Sequence, residues 1–217
     1  MQSVVSILET TAADGKNFSV ILPLIKKHLT FLSIMTQQRH VVTETVILVD
    51  EKDHPRGSQE KLVAHLIPQR HRAFSVFIYN GRGETLIQRR ADGKYHSPGL
   101  WANSCCGHPR PGEEVREAAQ RRLFEELGFT CDLTPVTRVC YTLKLEKDLW
   151  ELEFTHVFQG VYEGEIHPNP EEVSEIKWVL PHDLIKDKTK YARWFKLYIL
   201  KYYDQIFGSP QKMRDAL

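Results

Sequence analysis

The stretch from Cys106 to Phe129, CGHPRPGEEVREAAQRRLFEELGF, contains the pattern that decides the fold. Its distinctive residues stand at fixed intervals: Gly107, five residues, Glu113, seven residues, Arg121-Arg122-Leu123, one residue, Glu125-Glu126, one residue, and Gly128-Phe129. Acidic residues at the start of 113–127 and the glycine after it predict a helix that ends at Gly128. Positions 122, 125 and 126 fall within one helical turn. A carboxylate at each of these positions would converge on a hard cation such as Mg²⁺, but here position 122 is an arginine.

Short apolar and β-branched runs on both sides of this helix predict a sheet. The predicted strands are residues 41–50, 73–79, 85–90, 136–145, 152–162 and 176–180, with a polar turn at 51–57, a hairpin turn at 80–83 and a loop at 91–112. From Pro181 onward the chain turns helical, and apolar residues recur at helical spacing: Trp194, Tyr198, Ile199, Tyr202 and Ile206. Strands around one central helix, with helices at the end, predict an α+β sandwich.

Composition limits the classes of partner and the compartment. A net charge of +1 gives no reason to expect nucleic acid or an anionic membrane, whereas a small anionic substrate stays open. The four cysteines are not spaced as a secreted disulfide framework, and the adjacent pair Cys105-Cys106 lacks the spacing of a zinc clip, so we expect a cytoplasmic protein. Lys26, Lys27 and His28 interrupt the apolar segment 18–35, which argues against a membrane-spanning helix.

The spaced pattern of residues 107–129 resembles the Nudix box, a loop–helix–loop that binds diphosphates through metal ions. One position departs from it, because the hydrolytic box has Glu directly after its arginine, where this chain has Arg122. Arg122 removes one metal ligand and places a cation four residues from Glu126. This departure weakens the chemistry of hydrolysis but not the binding of a diphosphate. Without the resemblance, the helix would be interpreted as an amphipathic helix with solvated glutamates.

Five further segments resemble landmarks of the type 1 isopentenyl-diphosphate isomerases, one branch of the Nudix superfamily. They are KLVAH (61–65), HRAFS (71–75), QRRADGK (88–94), WANSCCGHP (101–109) and WELEF (150–154). The resemblance covers about residues 41–207, in the family's order. It implies a Nudix-like mixed β-sheet sandwich with C-terminal helices as an isomerase domain over residues 35–217. Residues 1–34 are expected to be an accessory N-terminal extension.

The resemblance also implies two metal sites. The first would consist of His65, His71, His108, Glu151 and Glu153, a ligand set that suits a divalent transition metal such as Mn²⁺ or Zn²⁺, or Fe²⁺. Two carboxylates that are two residues apart on a strand share one face. The second site would hold Mg²⁺, bound by Glu126 and the backbone carbonyl of Cys106 and brought in with the diphosphate. The other histidines are interpreted as surface or core residues: His28, His40, His54, His96, His156, His167 and His182.

The substrate implied by the resemblance is a small isoprenoid diphosphate. Its phosphates would be bound by four cations, Lys61, Arg90, Lys94 and Arg122. Taken alone, Lys61 and Lys94 would be interpreted as solvated surface charges. We expect no nucleic-acid or membrane partner, and a monomer or weak homodimer.

Catalysis would require proton addition to an unactivated alkene and proton loss from the neighbouring carbon, with water excluded from a carbocation-like state. The resemblance assigns this work to Cys106 and Glu153, with Tyr141 beside the glutamate. The sequence does not decide which of the two donates first. Cys105 has the same chemistry but would point the opposite way on an extended backbone. Three aromatic rings would face the cation or else pack in the core: Trp101, Trp194 and Tyr141.

Two other functions remain open from the residues alone. A Nudix hydrolase acting on a nucleoside or sugar diphosphate is one, and Arg122 and the Cys-Gly-His prefix count against it. A catalytically silent diphosphate-binding or regulatory module is the other. The intact pair of Cys106 and Glu153 counts against such a module.

Overall fold

The computed structural model describes residues 44–208. The predicted accessory extension at 1–34 and the start of the predicted strand at 41–50 lie outside the described residues. The elements are β1 (Thr45–Val49), β2 (Pro55–Glu60), α1 (Lys61–Leu66), β3 (His71–Tyr79), β4 (Thr85–Arg90), β5 (Trp101–Asn103), β6 (Cys105–Gly107), α2 (Val115–Leu127), β7 (Thr134–Lys144), β8 (Trp150–Val161), β9 (Val173–Val179), a 3₁₀ helix (Pro181–Ile185), α3 (Arg193–Lys201) and α4 (Tyr203–Ile206).

The sheet is mixed and centres on β3. Strand β8 pairs in parallel with the whole length of β3, from His71↔Glu153 to Tyr79↔Val161. Strands β1, β4 and β6 pair with β3 antiparallel, and β7 and β9 extend the sheet beyond β8 and β4. The predicted mixed-sheet α+β architecture is therefore confirmed.

Two apolar layers cover the two faces of β3, which explains why its sequence is almost continuously apolar. Phe74, Val76 and Ile78 pack with the buried face of α2, including Leu123 and Leu127. On the opposite face, a second core joins Phe77 and Tyr79 to α3, whose buried residues are Trp194, Phe195, Tyr198 and Ile199. The predicted helical C-terminal part is confirmed, but it is divided into the 3₁₀ helix, α3 and α4, and residues 186–192 belong to no helix. None of the helices in residues 44–208 is long and apolar enough to cross a membrane.

The predicted helix of the Cys106–Phe129 stretch is α2, and it ends as its sequence indicates. Gly128 follows the helix in the left-handed conformation, with φ +76°, and its N–H donates to the carbonyl of Phe124 at 2.9 Å. A Cβ at this position would lie 2.8 Å from the carbonyl oxygen of His167. Glycine is needed here both for the backbone conformation and for this close approach.

Two predictions of irregular structure were wrong, and one helix had no prediction. The polar turn predicted at 51–57 overlaps β2, whose sequence PRGSQE is mostly exposed and pairs with β1 at the sheet edge. The loop predicted at 91–112 contains β5 and β6, which are three residues each. Helix α1 was not predicted. These elements are too short, or too exposed, to produce an apolar alternation in the sequence.

Candidate active site

Four of the five predicted metal ligands converge in space. One ligand atom each from His65, His71, His108 and Glu153 lie within 4.8 Å of one another. They come from α1, β3, the loop after β6, and β8. His71 and His65 are almost completely buried, and His108 is partly buried. We call these four residues the His–Glu cluster.

Hydrogen bonds to backbone carbonyls fix the orientation of two of these rings. Nδ1 of His65 donates to the carbonyl of Lys61 at 2.7 Å, and Nδ1 of His71 donates to the carbonyl of Gln69 at 2.8 Å. Each Nε2 is then left as the ligand atom, which is the usual arrangement of a metal-binding histidine. Nε2 of His71 is buried and has no hydrogen-bond partner among residues 44–208. The cluster therefore fits a divalent metal ion.

Helix α1 places His65 because Glu60 caps its first turn. The Glu60 carboxylate accepts hydrogen bonds from the backbone N–H groups of Leu62 and Val63, at 3.1 and 3.0 Å. The helix is only six residues long, but it puts His65 one turn after Lys61, within reach of that carbonyl.

The two glutamates of β8 differ in environment. Glu153 accepts hydrogen bonds from Tyr141 Oη at 2.6 Å and Thr155 Oγ1 at 3.0 Å, and its other oxygen is 3.3 Å from His108 Nε2. Burial would raise the pKa of Glu153, but the hydrogen bond from His108 lowers it below its usual range. Burial, and then the charge of Glu153, raises the pKa of Glu151 well above the usual range.

Glu151 lies outside the His–Glu cluster as the structure stands. Its Oε2 is buried and has no hydrogen-bond partner within the described part of the chain. Its predicted role as a fifth ligand therefore stays a prediction.

The register of β3 and β6 sends the two adjacent cysteines to opposite faces. Cys105 pairs with Val76 and packs, fully buried, in the α2 core. Cys106 pairs with Ser75 and packs against the α3 core, so the predicted opposite orientation is confirmed. Because directly paired residues share a face and His71 is four residues from Ser75 on β3, Cys106 is on the same face as the His71–Glu153 pair. Burial raises the pKa of the Cys106 thiol to about 12.

The four predicted phosphate-binding cations also come together, and we call them the cationic cluster. Lys61 contacts Glu44 at 2.6 Å, and the guanidinium of Arg90 donates to the carbonyl of His96 at 3.2 Å. Burial, with the charges of Arg90, Arg122 and Lys61, lowers the pKa of Lys94 to about 8, and Glu126 opposes this effect. Lys94 and Arg122 both contact Glu172.

Arg122 forms ion pairs with Glu126, four residues later on α2, and with Glu125. The guanidinium donates to Glu126 at 2.6 Å and to Glu125 at 2.7 Å. Glu126 is 5% exposed and also accepts a hydrogen bond from Gln88 Nε2 at 2.9 Å. The carboxylate that is predicted to hold Mg²⁺ is thus buried beside the cationic cluster.

Comparison with known proteins identifies the family. The NUDIX domain profile matches residues 69–201. A protein of Pectobacterium atrosepticum named isopentenyl-diphosphate Delta-isomerase is 43% identical over 172 residues, which are 76% of this chain and 96% of that protein. A Streptomyces coelicolor protein of the same name is 47% identical over 153 residues, 68% of this chain and 78% of its own. The chain belongs to the isopentenyl-diphosphate Delta-isomerase family. The predicted Nudix and isomerase membership is confirmed.

Solved structures support the fold of this isomerase family member. DR0079 from Deinococcus radiodurans matches with a TM-score of 0.56 and 20% identity, over 71% of this chain and 96% of that one. A MutT protein from Methanosarcina mazei matches with a TM-score of 0.53 and 20% identity, over 62% of this chain and 93% of that one. At this identity the likeness concerns the fold alone.

The predicted aromatic residues occupy different places in this isomerase family member. Tyr141 is beside the His–Glu cluster, through its hydrogen bond to Glu153. Trp194 is buried in the α3 core, where its Nε1 donates to Asn103 at 3.3 Å and the Arg90 guanidinium lies 5.2 Å from its ring centroid. Trp101 packs in the same core, and the Lys177 ammonium lies 4.2 Å from its ring centroid. The structure brings Trp194 to the cationic cluster, whereas the described contact on the Trp101 ring comes from Lys177.

His96 is a neighbour of the site that sequence reasoning missed. It was interpreted as a surface or core residue, but its ring is 6.1 Å from that of His65 and 5.6 Å from that of Trp194. Burial lowers its pKa to about 2. Three consecutive side chains here have a buried polar atom without a hydrogen-bond partner in the described chain: Tyr95 Oη, His96 Nδ1 and Ser97 Oγ. Ser97 has a φ of +48°, which no sequence pattern indicated.

The other described histidines bear out their ordinary interpretation. His54, His167 and His182 have mostly exposed side chains. His156 is partly buried and bonded to Asp53 at 2.8 Å.

Proposed function

We propose that the protein converts isopentenyl diphosphate to dimethylallyl diphosphate. The observation that carries this proposal is the common orientation of Cys106 and Glu153 on one sheet face, in a member of the isopentenyl-diphosphate Delta-isomerase family. A thiol and a carboxylate on one face provide the acid and the base for two proton transfers to and from carbon.

The cationic cluster would bind the diphosphate. Arg90, Lys94 and Arg122 are partly or fully buried, so their hydrogen bonds to phosphate oxygens would be charge-assisted and shielded from water. Glu126 and the Cys106 carbonyl would hold Mg²⁺ with the diphosphate. Arg122 forms ion pairs with Glu125 and Glu126 and replaces the third carboxylate that a hydrolytic Nudix box would have at this turn of the helix. This arrangement favours binding of the diphosphate over its hydrolysis.

The His–Glu cluster would hold one divalent transition metal, Mn²⁺ or Zn²⁺, with Glu151 as a further ligand. Three imidazoles and a carboxylate are a typical ligand set for such ions. The ion, when bound, supplies positive charge that fixes the position and acidity of the Glu153 carboxylate.

The pair of Cys106 and Glu153 would move the protons. Isomerisation adds one proton to the terminal alkene carbon and removes one from the carbon on the other side of the new cation. In the metal-free protein Cys106 carries its proton and Glu153 is ionised, so the pair holds the single proton that one addition requires. The Tyr141 hydroxyl holds Glu153 in place during the transfer. The α3 core beside Cys106 would exclude water.

A matched cysteine pair tests the proposal. Purified protein is incubated with isopentenyl diphosphate, Mg²⁺ and Mn²⁺, and the products are resolved by NMR. We expect dimethylallyl diphosphate from wild type and from Cys105→Ala, and almost none from Cys106→Ala. Equal activity of the two variants would refute the role of Cys106, and phosphate release without isomerisation would refute the function.

A further inference from the structure

Glu172 lies between two members of the cationic cluster that come from different elements. One of its carboxylate oxygens contacts the Lys94 ammonium, and the other is 3.2 Å from Nη2 of Arg122. Lys94 follows β4, Arg122 is on α2, and Glu172 directly precedes β9. All three side chains are largely buried, with exposed fractions between 16% and 22%.

Backbone hydrogen bonds fasten Glu172 to both of these elements. Its carbonyl accepts from the N–H of Ala91 at 3.0 Å, and the Ala91 carbonyl accepts from the N–H of Lys94 at 3.2 Å. Its own N–H donates to Asn169, whose N–H donates to the carbonyl of Glu126 at 2.9 Å. The main chain of Glu172 is therefore held in place independently of the cations that its carboxylate contacts.

Lys94 needs a fixed anion because the charges around it are mostly positive. Arg90 faces it from β4, Lys61 from α1 and Arg122 from α2, while Glu126 on α2 is the other carboxylate nearby. Burial and these like charges lower the pKa of Lys94 to about 8. Glu126 raises the pKa of Lys94, and Glu172, in contact with the ammonium, adds a second carboxylate that stabilises the charged form.

We propose that Glu172 is a positioning residue for diphosphate binding, which holds Lys94 charged and beside Arg122. An ammonium has three N–H donors and a guanidinium has five. Lys94 therefore keeps two donors for phosphate oxygens after contacting Glu172, and Arg122 keeps two after contacting Glu125, Glu126 and Glu172. This role rests on the proposed function, because it requires that the cationic cluster binds a diphosphate. Glu172 acts through Lys94 and Arg122, so its loss affects binding rather than the proton transfers at Cys106 and Glu153.

The test is Glu172→Gln, which keeps the shape of the side chain and removes its charge. Binding of inorganic diphosphate to the full-length, metal-loaded protein is measured by calorimetry from about pH 6.5 to 9.5, beside KM and kcat for isopentenyl diphosphate. We expect affinity to fall about tenfold at neutral pH, the size of one charge-assisted hydrogen bond. As the pH is raised, Glu172→Gln should begin to lose diphosphate binding at a lower pH than wild type. Its kcat should differ from the wild-type value by less than about twofold.

Two further variants make the result specific. Glu171→Gln changes the exposed neighbouring glutamate and should leave the affinity and the pH profile as in wild type. Glu172→Asp keeps the charge and should recover part of the affinity, and it carries the test if Glu172→Gln does not fold.

Several outcomes would overturn the role of Glu172. One is that Glu172→Gln binds diphosphate with wild-type affinity and loses binding at the same alkaline pH as wild type. Another is that Glu172→Gln binds diphosphate more tightly, which would mean that Glu172 competes with the diphosphate. If Glu172→Gln weakens diphosphate binding but the wild-type protein has no isomerase activity, the role of Glu172 is supported and the proposed function is contradicted. If the wild-type protein is an active isomerase but Glu172→Gln binds diphosphate as wild type does, only the role of Glu172 is contradicted.

Discussion

The Tyr141 hydroxyl donates a hydrogen bond of 2.6 Å to Glu153 across the antiparallel pair of β7 and β8. The register places these two residues directly opposite each other, so the contact follows from strand pairing. Both side chains are on the face that contains Cys106. Glu153 is thereby fixed at one oxygen by Tyr141 and lies near His71 and His108 at the other.

Tyr141→Phe should lower kcat by about ten- to hundredfold, because a hydrogen bond to a charged group contributes roughly 1.5–3 kcal/mol. KM for isopentenyl diphosphate should stay close to that of wild type, since the hydroxyl does not face the cationic cluster. Steady-state kinetics checks this, with Tyr203→Phe as a control at a tyrosine in α4. A large rise in KM with unchanged kcat would place Tyr141 in substrate binding instead.

His71→Ala should remove the tightly held transition metal. Its Nε2 is buried without a hydrogen-bond partner in residues 44–208 and belongs to the His–Glu cluster, so the variant removes one ligand atom. Atomic spectroscopy of purified protein should find about one transition-metal ion per chain in wild type and far less in the variant. His54→Ala, at an exposed histidine, should keep the wild-type content. Equal metal content in the two variants would contradict the site.

Metal-free protein should lose stability on acidification because it buries neutral histidines. Burial lowers the pKa of His108 to about 3 and of His96 to about 2, while the unfolded chain has the ordinary value of 6.5. The unfolded state therefore binds more protons as the pH falls below about 6.5. The free energy of unfolding should decrease there by up to ~1.4 kcal/mol per pH unit for each such histidine.

Urea unfolding with chelator at pH 7.5 and 5.5 measures this loss. His96→Gln should show a smaller loss than wild type between the two pH values, and His54→Gln should show the same loss. A loss in His96→Gln equal to that in wild type would rule out neutral burial of the His96 ring.

Arg122→Glu should not create an efficient hydrolase, although it restores the carboxylate of the hydrolytic Nudix box. The change removes a cation that contacts Glu125, Glu126 and Glu172, and it gathers four carboxylates in one partly buried place. We expect lower stability and a KM for isopentenyl diphosphate raised about ten- to hundredfold. Isomerisation and phosphate release are measured together, with Arg116→Glu as the exposed control on α2. Rapid phosphate release with wild-type KM would show that Arg122 does not contact the substrate.

The parts of the structure that the sequence predicted best have local causes. Helix α2 carries its own stop signal in Gly128, and β3 is recognisable because both of its faces are buried. The His–Glu cluster has no local signal, because His65 depends on the short helix α1 and Glu153 reaches His71 only through the pairing of β3 with β8. Only the family resemblance grouped those residues.

Glu172 and His96 escaped prediction for a related reason. Glu172 is one of two adjacent glutamates in a polar turn, and its position depends on backbone hydrogen bonds to Ala91 and Asn169. His96 lies in a segment without periodicity, which the fold buries against His65. Three further properties stay predictions: the identity of the metals, the oligomeric state as a monomer or weak homodimer, and the cytoplasmic location.

Isomerisation in deuterated water tests proton transfer to carbon most directly. The thiol of Cys106 and the carboxyl group of Glu153 both exchange protons with solvent, so the new methyl group of dimethylallyl diphosphate should contain deuterium. NMR of the product should show this label, without release of phosphate. Phosphate release from a substrate whose carbons stay unlabelled and unisomerised would contradict the proposed chemistry and favour a hydrolase.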